Sequence, residues 1–380
     1  MRIGIIGCGV VGAAIAYRLS SIPGLEVLVY DSRSPQQFEA TGAALGVLMA
    51  AISGKLKGRH LKLRLESLRL YESLIPQLEQ QTGLEIPYNR EGILQLYFEV
   101  AELKRFETLQ TVRQTQGFDL ELWSLERLSQ QFPELAQGRS LVEGSEGKSV
   151  VGAVYSPQDR QVDPVALTQG LVQGALQQGA NIHFETGITG FRAQDFAEEQ
   201  LLTHLQTVST EVPVDWVVVS AGLGSTPLTQ ALKQPIAIQP VLGQAIHLRS
   251  KVPLRSPCPV VNGCDVHLVP MNDHELWVGA TVEFPEIDPL KIEQARITPS
   301  PQALDLVLQQ AIALYPALAD AEVLRTWQGF RPRPQERAAP VIERLPGYGN
   351  VLIASGHYRN GVLLAPITAE KIWSFLQAAL

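Results

Sequence analysis

Residues 7–12 read Gly-Cys-Gly-Val-Val-Gly, and they follow a five-residue apolar run, Arg2–Ile6, of strand length. Glycines at 7, 9 and 12 in that place restrict the chain more than anything else in it. Gly7 permits a tight turn out of the strand. Gly9 carries no side chain, so a pyrophosphate can approach its backbone, and Gly12 lets helix and strand pack closely. A helix predicted over 10–19 then opens at Val10 and Val11 with unpaired N–H groups facing the phosphate charge. A second strand, 26–30, ends in Asp31, where an acid about 20 residues beyond the glycines would bind a ribose 2′-hydroxyl. Asp31 also disfavours a 2′-phosphate, and so NADP.

The same N-terminus, a basic Arg2 followed by apolar and small residues, has the look of a secretory signal. The run is too short for a membrane span, which needs about 20 apolar residues. The glycine spacing decides for the nucleotide-binding unit, though it leaves NAD and FAD both open.

A chain of 380 residues is long for one core, so two domains are expected. The net charge is −7 with no Lys/Arg run, which argues against nucleic acid or an anionic membrane as partner. Cys8, Cys258 and Cys264 form no CxxC pair, and the seven histidines form no zinc motif. This usage fits a reducing, cytoplasmic setting without metal or disulfides.

The stretch 39–48, EATGAALGVL, is rich in small residues that let backbone lie against a flat ligand. A core-packing helix is predicted over 59–81, from the helical spacing of Leu61, Leu65, Leu68, Ile75 and Leu78. Further on, 92–98 reads as a strand and 101–116 as an amphipathic helix, and Ser124 caps a short helix. Asp163-Pro164 is a helix start, with Asp163 as N-cap and Pro164 at the first helical position. A valine-rich strand in VDWVVVSAGLGS runs into Gly222 and Gly224, again placing bare backbone beside a ligand. From 239 to 281 the pattern turns strand-rich, as in an antiparallel sheet of a second domain. A helix is expected over 301–314, and the apolar strand 350–354 leads through GHYRNG into a final helix reaching Leu380.

These stretches together resemble the flavin-dependent D-amino-acid oxidase superfamily, and most closely the glycine oxidase branch linked to thiamine synthesis. The resemblance runs nearly the whole length. It rests on GCGVVG, TGAALGVL, WVVVSAG, WQGFRP and, most specifically, GHYRNGVLLAP. It implies an α/β fold of two domains, a Rossmann-like FAD-binding domain with an inserted antiparallel-sheet substrate domain. The expected division is 1–84, 146–225 and 326–380 for the FAD domain, and 85–145 and 226–325 for the substrate domain. The implied cofactor is noncovalent FAD, since no cysteine stands where sarcosine oxidases attach it.

By the same resemblance the FAD-binding residues are Gly7, Gly9, Val10, Val11, Gly12, Asp31, Ser32, Thr41, Leu45, Gly46, Val47, Ile188 and Gly222. With them go His357, Tyr358, Arg359, Asn360, Gly361, Val362 and Leu363. Gly361 and Val362 would present backbone N–H groups to the flavin at the start of the last helix. Arg331 matches the family's carboxylate-binding arginine, whose planar fork can fix a substrate's orientation, and Arg359 matches an arginine at the substrate end. His267 stands where the glycine oxidase pattern has a tyrosine, a departure that puts glycine itself in doubt as the best substrate. The implied reaction is hydride transfer from a small amino acid or amine to the flavin. Oxygen then gives hydrogen peroxide, and the imine hydrolyses to keto acid and ammonia. A flavin dehydrogenase feeding a carrier, or a non-catalytic flavoprotein, is the alternative. The family tends to associate, which leaves a homo-oligomer open as a partner state that the sequence itself does not report.

Overall fold

A computed structural model of the chain describes residues 1–141, 147–288 and 298–379. Two large sheets organise it. The first has six strands in the order Val341–Arg344, Val351–Ser355, Trp216–Val219, Arg2–Ile6, Glu26–Tyr30, Asn181–His183. All its pairings are parallel except that of Val341–Arg344 with Val351–Ser355. Parallel strands are buried on both faces, and the side chains divide accordingly. Ile3, Ile5 and Val218 point into a core beneath the helices Val10–Ser20, Pro164–Gln177 and Gly361–Gln377. Ile6, Val217 and Val219 point the other way, into a core shared with Leu202 and Leu205. Those two come from a three-stranded antiparallel sheet, 190–213, whose strands went unrecognised in the sequence because its outer face is polar and its first strand largely exposed.

The second sheet has eight strands, ordered Glu322–Pro334, Ile238–Arg249, Glu275–Gly279, Val266–Pro270, Val260–Gly263, Ile93–Tyr97, Gly152–Ser156, Glu121–Ser124. Only Val260–Gly263 with Ile93–Tyr97 is parallel. Leu94, Ile246, Val261, Leu268 and Val278 face the helix Pro301–Leu314, whose Val307, Ala311 and Leu314 close that core. Their strand neighbours Ile93, Ala245, Val260 and Val269 face the opposite way, into the core shared with the parallel sheet. The two-residue side-chain period thus sends consecutive residues to two different cores.

Several expectations meet the structure closely. The long helix spans Arg59–Thr82 and ends on Gly83 in the left-handed conformation. Ser124 accepts from Arg127 N–H, and Asp163 accepts from the N–H groups of Val165 and Ala166, as caps. The final helix spans Gly361–Gln377; Leu380 lies outside the described residues, as does the expected boundary at 145/146. Gly152–Ser156 and the segment 326–334, both grouped above with the FAD-binding part, hydrogen-bond into the eight-stranded sheet. Among the described residues no helix is long and apolar enough to cross a membrane.

Candidate active site

The glycine turn lies at the carboxyl end of the central parallel strand. Gly7 N–H donates to Tyr30 O at 2.8 Å, tying the turn to the neighbouring strand. No side chain caps the helix from Gly9 itself; Thr41, from the small-residue loop, accepts from Val10 N–H at 3.1 Å. A Cβ built on Gly9 meets only Thr41 Oγ1, at 3.4 Å, so the space above Gly9 is open. Beside it a cavity of about 410 Å³ is lined by Gly9, Asp31, Arg33, Thr41 and Phe184 among others. An open glycine at a helix N-terminus with a cavity next to it fits a dinucleotide pyrophosphate.

Asp31 sits at the end of its strand as expected, and it is not alone. Its carboxylate accepts from Cys8 N–H (2.7 Å), Arg33 N–H (2.9 Å), Arg33 Nε (2.9 Å) and Arg33 Nη2 (2.7 Å). Burial pushes its pKa up, but the Arg33 fork and the two backbone donors outweigh that and hold it below the usual carboxylate range. Four donors fill roughly the four acceptor sites of a carboxylate. A ribose hydroxyl bonding to Asp31 would therefore displace one Arg33 N–H. Arg33 went unnoticed in the sequence, although it stands two residues beyond Asp31. Ser32 is exposed, and the segment from Glu185 to Ile188 runs alongside, with Glu185 N–H on Arg33 O and Thr186 N–H on Asp31 O.

The other end of the site gathers Leu45, Gly46, Val47, Gly222 and the GHYRNG turn. Gln161 Nε2 donates to Leu45 O at 3.2 Å, Val162 N–H to Gly46 O at 3.1 Å, and Val47 pairs with Gln161. Gly222 O accepts from Ser355 Oγ at 3.0 Å. Trp327 Nε1 donates to Ala43 O at 3.2 Å, joining the small-residue loop to the eight-stranded sheet. Tyr358 takes a positive φ of 54°, and a one-turn 3-10 segment, Tyr358–Asn360, leads into the last helix. The imidazole of His357 turns away into the protein, where Nε2 pairs with Thr368 Oγ1 at 2.9 Å. Burial lowers its pKa to about 3, so it is neutral near pH 7.

The last helix opens uncapped by any side chain at Asn360. A Cβ on Gly361 would have nothing closer than His357 Cβ, at 3.7 Å. One turn on, Pro366 lacks the N–H that Val362 O would otherwise receive. The buried Tyr71 hydroxyl donates to Val362 O instead, and Ser67 Oγ donates to Leu363 O at 2.6 Å. The long helix Arg59–Thr82 thereby fixes the start of the last one.

Arg331 lies on the strand Glu322–Pro334, opposite Val241. Its Nη1 donates to Leu242 O (3.2 Å) and Thr281 O (3.0 Å). The guanidinium lies flat over Gly243, where a Cβ would fall 2.3 Å from Nη2. Burial and then the nearby Arg359 lower its pKa. On the same sheet His267 pairs with Gly279 on one side and Asn262 on the other, and Asn262 in turn with Gln95. Burial chiefly, with Arg359 and Arg331 behind it, lowers the His267 pKa to about 4. The ring is therefore uncharged at neutral pH, and its Nδ1 is buried with no protein partner among the described residues. Asn262 Nδ2 donates to Gln95 Oε1, while Asn262 Oδ1 is also unpartnered. Buried polar atoms without partners are uncommon, and two neighbouring ones on one sheet face suit a polar ligand. Asn262 and Gln95 were missed in the sequence because strand register, not spacing, brings them to His267.

The segment 49–55, just beyond Val47, is gripped from both sides. The N–H groups of Ala50 and Ala51 donate to Asp159 Oδ1 (2.7 and 2.8 Å), and that of Ile52 to Oδ2 (2.8 Å). Arg113, with no solvent exposure, donates to Ala51 O (2.6 Å), Ser53 O (2.7 Å) and Lys55 O (2.7 Å). Arg64 Nη2 donates to Met49 O. Burial pushes the Asp159 carboxyl up, and the backbone donors with Ser156 pull against it.

The family model described as FAD dependent oxidoreductase matches residues 2–373. The chain belongs to this family. Its cofactor is accordingly FAD, as the open glycine turn and the uncapped start of the last helix accommodate. A bifunctional protein ThiO/ThiG of Synechocystis sp. is 32% identical over 97% of this chain, which spans about half of that protein's length. Glycine oxidase of Bacillus subtilis is 27% identical, with 97% of this chain and 90% of that one covered. The crystal structure of glycine oxidase from Bacillus cereus superposes with a TM-score of 0.82 at 25% identity, over 100% of this chain and 95% of the other.

Proposed function

We propose that this protein oxidises the C–N bond of a small amino acid or amine, of the glycine, sarcosine or D-amino-acid class. The observation that carries the reading is Arg331. It is held by two backbone carbonyls through Nη1, it has no carboxylate partner among the described residues, and it lies near a neutral His267 with an unpartnered nitrogen. A guanidinium so fixed binds a carboxylate in one orientation and directs the adjacent Cα–H. The uncharged imidazole adds a hydrogen bond without a charge, so it neither repels the amine nor competes with Arg331 for the carboxylate. Bound FAD supplies the two-electron acceptor for the hydride. The uncapped start of the helix Gly361–Gln377 favours negative charge placed there. In the overall balance the amine loses two electrons and two protons to become an imine. Oxygen takes both to become hydrogen peroxide, and water converts the imine to keto acid and ammonia. Similarity to glycine oxidases over most of their length supports this class of reaction.

The test is an anaerobic titration of the yellow holoenzyme with glycine, sarcosine and D-amino acids, followed by admission of air. Bleaching by one of them and rapid return of colour in air is the expected result. Slow return would mean that electrons pass to a carrier instead of oxygen. Arg331→Ala is expected to raise KM severely, and unchanged kinetics would overturn the assignment of the carboxylate.

A further inference from the structure

Three arginines meet at one corner of the eight-stranded sheet. Arg331 and Arg333 are two residues apart on one strand, so their side chains leave the same face about 7 Å apart. The guanidinium carbon of Arg333 lies 5.4 Å from the ring centroid of Phe284 and 5.7 Å from that of Tyr358. The guanidinium carbon of Arg359 lies 5.6 Å from the same Tyr358 ring. Arg359 is near enough to Arg331 and His267 to act on both electrostatically. Among the described residues none of the three has a carboxylate within 4.0 Å. Glu283 acts on Arg331 through space, but its oxygens are taken by Thr281 Oγ1 (2.7 Å), Gln244 Nε2 (2.8 Å) and Ser300 N–H (3.0 Å).

One substrate carboxylate satisfies Arg331 and leaves the other two cations beside the same Tyr358 ring with no carboxylate between them among the described residues. Like charges gathered without a counter-ion repel, and such an arrangement is suited to an anion that comes and goes. Arg333 and Arg359 are exposed, so they form the outer part of the cluster, and Phe284 beside them is 61% exposed. The aromatic faces steady the two guanidiniums, leaving their N–H edges available.

We propose that the substrate is an amine dicarboxylate, one carboxylate on Arg331 and the second held between Arg333 and Arg359. This inference rests on the amine-oxidising reading for its inner half alone. The second carboxylate site stands on the outer arginines, with Phe284 and Tyr358 covering the methylenes between the two acids.

The experiment has two arms, both on the holoenzyme. In the first, calorimetry compares succinate with propionate, neither of which carries an amine. Succinate is expected to bind about tenfold more tightly or better, with the advantage shrinking as salt is raised. Arg333→Gln and Arg359→Gln are each expected to reduce that advantage. In the second, iminodiacetate and D-aspartate are compared with glycine and D-alanine in the anaerobic titration, and the dicarboxylates are expected to bleach the flavin at the lower concentrations. Propionate binding as tightly as succinate, or a monocarboxylic amine having the higher kcat/KM, overturns the proposal. Tight succinate binding with no amine bleaching the flavin upholds the second carboxylate site and removes the amine-oxidising reading instead.

Discussion

One methyl group separates the glycine that serves the cofactor from the glycines that serve the fold. Gly9 sits at φ −71° and ψ −177°, which any residue adopts. Its Cβ would touch only Thr41 Oγ1, at 3.4 Å. Gly12 is different, because a Cβ there would fall 1.9 Å from Gly7 O. Gly7 is held at φ +99°, with Ala221 Cα 2.7 Å from its Cβ position. Gly9→Ala is therefore expected to leave the apoprotein as stable as the parent, or about 0.4–1 kcal/mol more stable through a stiffer unfolded chain. FAD binding should suffer, because the methyl stands where the pyrophosphate approaches the backbone. Loss of two charge-assisted N–H bonds at about 1.5 kcal/mol each or more corresponds to roughly a hundredfold or greater rise in Kd. Gly12→Ala gains about 1 kcal/mol of helix propensity, yet the overlap with Gly7 O is expected to cost about 1–3 kcal/mol as overpacking. Thermal melts of the apoproteins and flavin-fluorescence titrations measure the two quantities separately. Unchanged FAD affinity in Gly9→Ala, or an apoprotein melting as low as Gly12→Ala, would refute the reasoning.

Three further outcomes are expected. Gly243→Ala pushes its methyl into the Arg331 guanidinium, 2.3 Å from Nη2, so steady-state kinetics should show KM raised by about tenfold or more with kcat less affected; an unchanged KM would mean that Arg331 does not hold the substrate. His267 and His357 are lowered to about 4 and about 3, from 6.5. Their contribution to stability is whole above pH 6.5 and is lost as pH falls from there through the folded values. With two protons bound on unfolding, the slope approaches about 2.7 kcal/mol per pH unit; denaturant midpoints identical at pH 7 and 5 in the parent and in His357→Gln would contradict this. Asp159→Asn turns one acceptor into a donor against the three N–H groups it now receives, and it removes the charge that acts on buried Arg113 and half-buried Arg64. A loss of about 3–5 kcal/mol is expected in chemical denaturation, and a loss below about 1 kcal/mol would mean that the segment 49–55 is held by other means.

The nucleotide-binding half was legible because its signals are local. A strand, three glycines, a helix and a terminal acid fall within 31 residues, and each has one physical reason to be there. The caps at Ser124 and Asp163 were legible for the same reason. The substrate face was not, beyond what resemblance placed. His267, Asn262 and Gln95 are neighbours only through register across three strands, and no periodicity in one strand reports which residue of another stands beside it. The His357 side chain illustrates a different limit. Its place in GHYRNG was legible, but not its contact with Thr368, eleven residues on inside the last helix.

The grip on residues 49–55 shows why long-range charge had to be seen in three dimensions. Only Val47–Leu48 pairs as strand in this part of the chain, so the backbone groups that follow need partners from elsewhere if they are buried. Ala50, Ala51 and Ile52 are all buried. A carboxylate accepts only and a guanidinium donates only; a segment that shows both N–H and C=O groups to the interior therefore requires both kinds of side chain. Asp159 meets the first need, and Arg113 and Arg64 meet the second. Replacing such a set with apolar residues can be neutral for stability, but apolar residues cannot tell one backbone position from the next. The charges fix the register of this segment within the protein itself, with no bond from FAD or substrate required. The loop that carries Thr41 to Val47 is thus anchored at its far end by Asp159, Arg113 and Arg64, side chains of the protein itself.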